Sequence, residues 1–168
     1  MQVRHQLLLT GLPMLAVATP AIAQTAQVQL TLPRLKVAEY NRPYVAIWLE
    51  KPGMPARTLQ IWYDFDMAKN EGTKWLGDVR SWWRASGRTM RFPADGVTGA
   101  TRAPGKHMVR VPTGQLAPGQ YVLAIEAARE VGGREVVRVP FSWPPKPGQT
   151  FAASGKSELG AVALAFTR

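Results

Sequence analysis

Few side chains in this sequence can do chemistry. There is no cysteine among the 168 residues, which removes disulfides, Fe–S clusters, thiolate zinc sites and cysteine nucleophiles. Two histidines, His5 and His107, are too few for a multi-histidine metal site and make a Ser/His/Asp triad improbable. His107 with Met54 or Met90 would make a haem ligand pair, although a lone strand histidine is usually only a side chain on a sheet. Asp64 and Asp66, two apart in Asp64-Phe65-Asp66, would share one strand face as a cation site, or simply end a strand in a polar loop. The densest set is Asp95-Gly96-Val97-Thr98-Gly99-Ala100-Thr101, inside a Gly-, Pro- and Arg-rich loop from Arg88 to Gly105. It combines a carboxylate, two hydroxyls and three small residues. Gly96 permits a tight bend, Gly99 and Ala100 leave room for an approaching enzyme, and Thr101 supplies an acceptor oxygen. Read blandly, such a loop is only a turn.

The form Asp-x-x-Ser/Thr-Gly-Ala-Ser/Thr resembles the acceptor motif of proteins that carry FMN as a covalent phosphoester. The resemblance implies that an ApbE-type flavin transferase joins the FMN phosphate to the hydroxyl of Thr101. Asp95 then stands where the transferase or its metal recognises a carboxylate, with Gly96, Thr98, Gly99, Ala100 and Arg102 completing the cofactor-binding set. Arg80, Arg84, Arg88, Arg91, Arg102 and Lys106 flank the loop against few acids. Such charge offsets a phosphodiester and favours the anionic reduced flavin; as plain surface charge it contributes little.

The elements that must position this loop follow from periodicity. Residues 1–23 read as a secretory signal peptide: Arg4 and His5 start it, Leu7 to Ala18 form its apolar core, and Ala21-Ile22-Ala23 is a small-x-small cleavage site. The expected product is a soluble, exported, periplasmic protein in which residues 24–168 form one β-sandwich domain. Val28 to Leu32 is a first strand. Tyr44 to Glu50 alternates, with Val45, Ile47 and Leu49 on one face and Tyr44, Ala46 and Trp48 on the other. After the Lys51-Pro52-Gly53 turn, Thr58 to Phe65 places Leu59, Ile61, Tyr63 and Phe65 together, and Trp48 and Trp62 on the opposite face. Thr73 to Ser86 has helical period, with Trp75, Leu76, Val79, Trp82 and Trp83 in one stripe, Thr73 as N-cap and Gly87 past the C-terminus. These tryptophans either dock the helix on the sheet, or one of them stacks on a flavin ring tethered downstream.

Further strands are expected at Lys106 to Val111, Gln120 to Ala128, Glu135 to Phe141 and Ala161 to Phe166, with a hairpin turn at Val131-Gly132-Gly133. Trp143 to Gly148 reads as a stiff proline linker. Pro118-Gly119-Gln120-Tyr121 before an alternating strand resembles the Ig-like sandwich module of flagellar hook-capping proteins. Seven or so short strands and one amphipathic helix make an Ig-like antiparallel β-sandwich the expected fold.

The chain carries 21 Lys+Arg against 11 Asp+Glu, a formal net charge of +10. Outside the cell that suggests an anionic membrane surface or an acidic partner, and no nucleic-acid motif accompanies it. From Tyr44-Val45-Ala46-Ile47-Trp48 to Arg134-Glu135-Val136-Val137-Arg138-Val139-Pro140-Phe141 the sequence resembles a family of predicted periplasmic proteins of unknown function. Its members are found in association with ApbE and with PepSY-type membrane proteins. The resemblance implies an electron carrier, with FMN on Thr101, that exchanges electrons with a PepSY-type or other membrane redox protein. A cofactor-free Ig-like module docking on an envelope partner is the alternative, and an independent flavin-dependent reductase a third.

Overall fold

The computed structural model describes residues 25–167. Nine strands form two sheets: β1 (Thr25–Leu32), β2 (Tyr44–Glu50), β3 (Arg57–Trp62), β4 (Thr98–Gly99), β5 (Gly105–Pro112), β6 (Gly119–Ala128), β7 (Arg134–Trp143), β8 (Thr150–Ser154) and β9 (Ala161–Thr167). One sheet has the order β5-β1-β9-β8, the other β4-β3-β2-β6-β7. All pairings are antiparallel except β3 with β4. The expected β-sandwich is therefore the fold. The signal peptide expected at 1–23 lies outside the described residues.

Alternation builds the core between the sheets. Ala26, Val28, Leu30 and Leu32 of β1 face Tyr121, Leu123, Ile125 and Ala127 of β6 and Val137, Val139 and Phe141 of β7, with Val162 and Leu164 of β9. These are the positions that the period-2 pattern points inward. Two strands were not expected from the sequence: β8, which alternates half-buried and exposed residues, and β4, which is two residues long. Strand β7 also runs two residues further than expected, so Trp143 pairs with Gly119 rather than opening a linker.

The five-stranded sheet is covered on its outer side too. Tyr44, Ala46 and Trp48 of β2, Ile61 and Tyr63 around the end of β3, and Ala124 and Ala128 of β6 form a second core with Leu76, Val79 and Trp82. Burial on both sides is why β2 is closed to solvent along six consecutive residues.

A bulge corrects the expected facing of β3. Ile47 pairs with Gln60 but Trp48 pairs with Thr58, leaving Leu59 as an extra residue. An inserted residue reverses the faces beyond it. Leu59 and Trp62 consequently lie in the inter-sheet core, Trp62 opposite Val45, while Ile61 and Tyr63 lie outside. Leu59 does not share a face with Ile61 and Tyr63, and Trp48 and Trp62 lie on opposite sides of the sheet.

The expected helix at Thr73 to Ser86 is also corrected. The segment is a kinked 3-10 run, Ala68–Asp78, followed by a short α-helix, α1 (Arg80–Ala85), with Val79 between them at φ −78 and ψ 67. Leu76, Val79 and Trp82 are fully buried, but Trp75 is 41% exposed. The 3-10 turn holds 3.0 residues rather than 3.6, and with the break at Val79 the five-residue stripe cannot face the sheet as one. Thr73 caps nothing; its hydroxyl donates to the Asn70 carbonyl at 2.7 Å. The cap of α1 comes from the sheet instead. Buried Glu126 of β6 accepts hydrogen bonds from the amides of Ser81 (3.1 Å) and Trp82 (2.9 Å), and from Arg134 (2.7 Å). Those amides belong to the first turn, whose donors have no partner inside the helix. Gly87 is not a left-handed terminator: a Cβ there would stand 2.9 Å from the Trp82 indole, so Gly87 lets that ring pack flat under the chain.

Candidate functional site

The Asp95–Thr101 loop becomes part of the sheet edge. Residues 94–98 close a turn in which the Thr98 amide donates to the Ala94 carbonyl and the Ala94 amide donates to Thr98 Oγ1, both at 2.9 Å. Gly96 sits at φ 69, the left-handed region where a side chain is disfavoured. Val97 packs on the outer core. Strand β4 then runs parallel to β3, with the Ile61 amide bonded to the Val97 carbonyl (2.8 Å) and the Tyr63 amide to the Gly99 carbonyl (3.0 Å). A Cβ at Gly99 would lie 3.1 Å from the Trp62 ring. Gly99 thus serves close packing against Trp62, whereas Ala100 and Asp95 stand exposed.

That edge pairing delivers Thr101 to the end of β3. Its Oγ1 donates to Asp64 Oδ1 at 2.9 Å. Both residues line a cleft of about 440 Å³ that also includes Tyr44, Met67, Trp75 and Arg42. The 3-10 run contributes Trp75 and Asp78 to the same lining. It is fixed by the Tyr44 hydroxyl, which donates to the Gly72 carbonyl at 3.1 Å, and by Gly72 itself, where a Cβ would collide with the Asp64 carbonyl. Burial pushes the Tyr44 hydroxyl up to about 12, so it stays protonated and keeps donating.

Charge in the cleft is not where the sequence suggests. Arg102 lies over the Trp62 ring with Cζ at 4.2 Å from its centroid, a cation–π contact, and none of Arg80, Arg84, Arg88, Arg91, Arg102 and Lys106 lines the cleft. The cations in its lining are Arg42 and Arg129, beside Asp64, Asp78 and Glu130. Arg129 is committed elsewhere: it makes two 3.1 Å bonds to Glu158, both side chains 5% exposed. Arg42 is exposed.

The structure thus brings Thr98, Gly99 and Thr101 together on the edge of β3, leaves Asp95 and Gly96 exposed in the turn and Ala100 exposed after β4, and turns Arg102 toward Trp62. Asp64 as the partner of Thr101 was not read from the sequence. The contact spans 37 residues, and only the Asp64-Phe65-Asp66 spacing marked the position at all. His107 bonds the Ala103 carbonyl at 2.8 Å and packs edge-on against Trp62. Among the described residues no three His, Asp or Glu side chains converge as a metal site.

Searches of curated proteins and of solved structures returned no match. The model of one family, DUF2271, described as predicted periplasmic protein, matches residues 25–161. Among the described residues no helix is long and apolar enough to cross a membrane. The match takes in β1 to β8, the outer layer and the Thr101 cleft, ending at the first residue of β9, and the chain belongs to this family of predicted periplasmic proteins.

Proposed function

We propose that this protein is an exported electron carrier with FMN esterified to Thr101, modified by an ApbE-type transferase and serving a PepSY-type or other membrane redox protein. The observation that carries the reading is the Thr101–Asp64 hydrogen bond in the lining of the cleft. A phosphoester acceptor needs a reachable hydroxyl, a group to take its proton and space beside it. Thr101 is half-buried rather than enclosed. Asp64 Oδ1 already accepts from Thr101 Oγ1, so it is placed to receive the proton as the Oγ1–phosphorus bond forms. The transferase supplies the FMN phosphoryl group from a flavin nucleotide anhydride, whose P–O bond breaks to release the nucleotide monophosphate.

The residues present fit the cofactor. Gly96 and the Ala94–Thr98 bonds hold the turn, β4 fixes Thr101 against the sheet, Arg42 is the exposed cation of the lining, and Asp95 at the tip is open to recognition. Bound FMN would supply one- and two-electron redox chemistry. Esterification removes the hydroxyl hydrogen that Asp64 holds, so their contact belongs to the unmodified chain. Asp64→Asn should slow modification while leaving its site unchanged. Co-expression with an ApbE-type transferase, followed by intact mass and peptide mapping, tests the assignment.

A specific observation keeps the second reading, a cofactor-free module docking on an envelope partner. Phe65, Met67 and Trp75 are all exposed, at 40%, 37% and 41%, and Met67 and Trp75 share the cleft. Protein that stays unmodified beside an active transferase would favour it.

A further inference from the structure

We propose that the cleft beside Thr101 is the seat of the flavin ring and that Trp75 is the face on which the ring packs. The inference rests on attachment at Thr101 and adds what the rest of the molecule does with the group once tethered. Trp75 is singled out among the six tryptophans. Trp48, Trp62 and Trp82 are fully buried, and neither Trp83 nor Trp143 lines the cleft. Trp75 lines the same cleft as Thr101 and exposes 41% of its surface, although its neighbour Leu76 is fully buried. A large indole left open beside a concave space is an unsatisfied apolar face. A flat heteroaromatic ring covers it at little entropic loss, because the tether has already brought the ring there.

The cleft has the character such a ring requires. Its volume, about 440 Å³, falls in the range of small-molecule sites. Met67 adds a second exposed, polarisable apolar surface in the lining. The walls are built in advance. The Tyr44–Gly72 bond and the close approach of Gly72 to Asp64 fix the 3-10 run that carries Trp75, and the pairing with Glu158 fixes Arg129 in the lining. Arg42 and the protonated Tyr44 provide polar groups in the lining.

The test uses full-length protein co-expressed with an ApbE-type transferase, with FMN content read by intact mass. An indole packed on a flavin quenches its emission by electron transfer and shields it from iodide. Wild-type protein should show weak flavin emission that iodide barely reduces. Trp75→Leu should carry the same FMN mass but emit several-fold more strongly and become open to iodide. Trp75→Phe should raise emission while keeping the shielding, because a phenyl ring covers the flavin without donating an electron as readily. If loaded wild type and loaded Trp75→Leu match in emission and in iodide quenching, the ring is not seated on Trp75 and the inference fails while attachment stands. If wild type carries no FMN mass, attachment at Thr101 fails and the seat fails with it.

Discussion

The two faces of the five-stranded sheet are sealed in different ways. On the inner face, a second sheet covers aliphatic residues such as Val45, Ile47, Leu123 and Ile125, and the seal is spread over many interchangeable contacts. On the outer face, a broken 3-10 and α segment and the Arg88–Gly105 loop cover aromatic residues such as Tyr44, Trp48 and Tyr63. That cover is held by single polar contacts: Glu126 to the start of α1, Tyr44 to Gly72, Thr58 to the Trp82 indole at 2.9 Å, and Asp64 to Thr101. The inner face makes the fold stable. The outer face makes one place on it specific, and every residue of the proposed site belongs to that cover or to the strand ends beneath it.

Losing a keystone of the outer layer should therefore cost as much as losing a core residue of the inner one. Trp82 is fully buried, and Trp82→Ala should destabilise by about 3–5 kcal/mol in urea unfolding. A loss under about half a kcal/mol would mean that the outer layer is not a core at all.

An alkaline titration separates the faces next. Burial raises Tyr44 from 10.0 to about 12. Because the folded value lies above the unfolded one, this stability is complete below about pH 10 and disappears as the pH climbs through about 12. The loss amounts to at most about 2–3 kcal/mol. Tyr44→Phe should weaken that decline and cost about 1 kcal/mol at neutral pH, since it removes the hydrogen bond to the Gly72 carbonyl. An unchanged alkaline profile would place the loss elsewhere, for instance at Tyr63, which burial also raises.

Glu126→Gln should have a smaller effect, about 1–2 kcal/mol, because the amide keeps one acceptor oxygen for two amides and an arginine. Hydrogen exchange should show the cost concentrated at Ser81 and Trp82. Uniform loosening of the inner strands instead would show that the cover and the sandwich are one cooperative unit.

The same contrast explains what could be read in the sequence. Inner-face strands are period-2 patterns, and Tyr121, Leu123, Ile125, Val137, Val139, Phe141, Val162 and Leu164 follow from alternation alone. The outer layer depends on contacts between distant residues. Nothing local to Thr73–Ser86 reveals that its helix is capped by Glu126, 44 residues beyond Trp82. The extra residue Leu59 is invisible in a run that reads as regular alternation, yet it decides which face receives Trp62. Strand β4 has two residues and no pattern, and it positions Thr101. Thr101 itself was legible because a motif is a local signal. Its partner Asp64, and the cleft they share, were not.

The central claim is that Thr101 Oγ1 is the single covalent attachment point for FMN. Its most direct test is the intact mass of wild-type protein and of Thr101→Ala, each co-expressed with an ApbE-type transferase and peptide-mapped. Thr101→Ala removes the nucleophilic oxygen and its bond to Asp64 from a half-exposed loop, so the fold should persist with a loss of about 1 kcal/mol. Wild type should carry one FMN, mapped to Thr101, and Thr101→Ala none. FMN on Thr101→Ala, or a wild-type protein that never acquires it, would contradict the account.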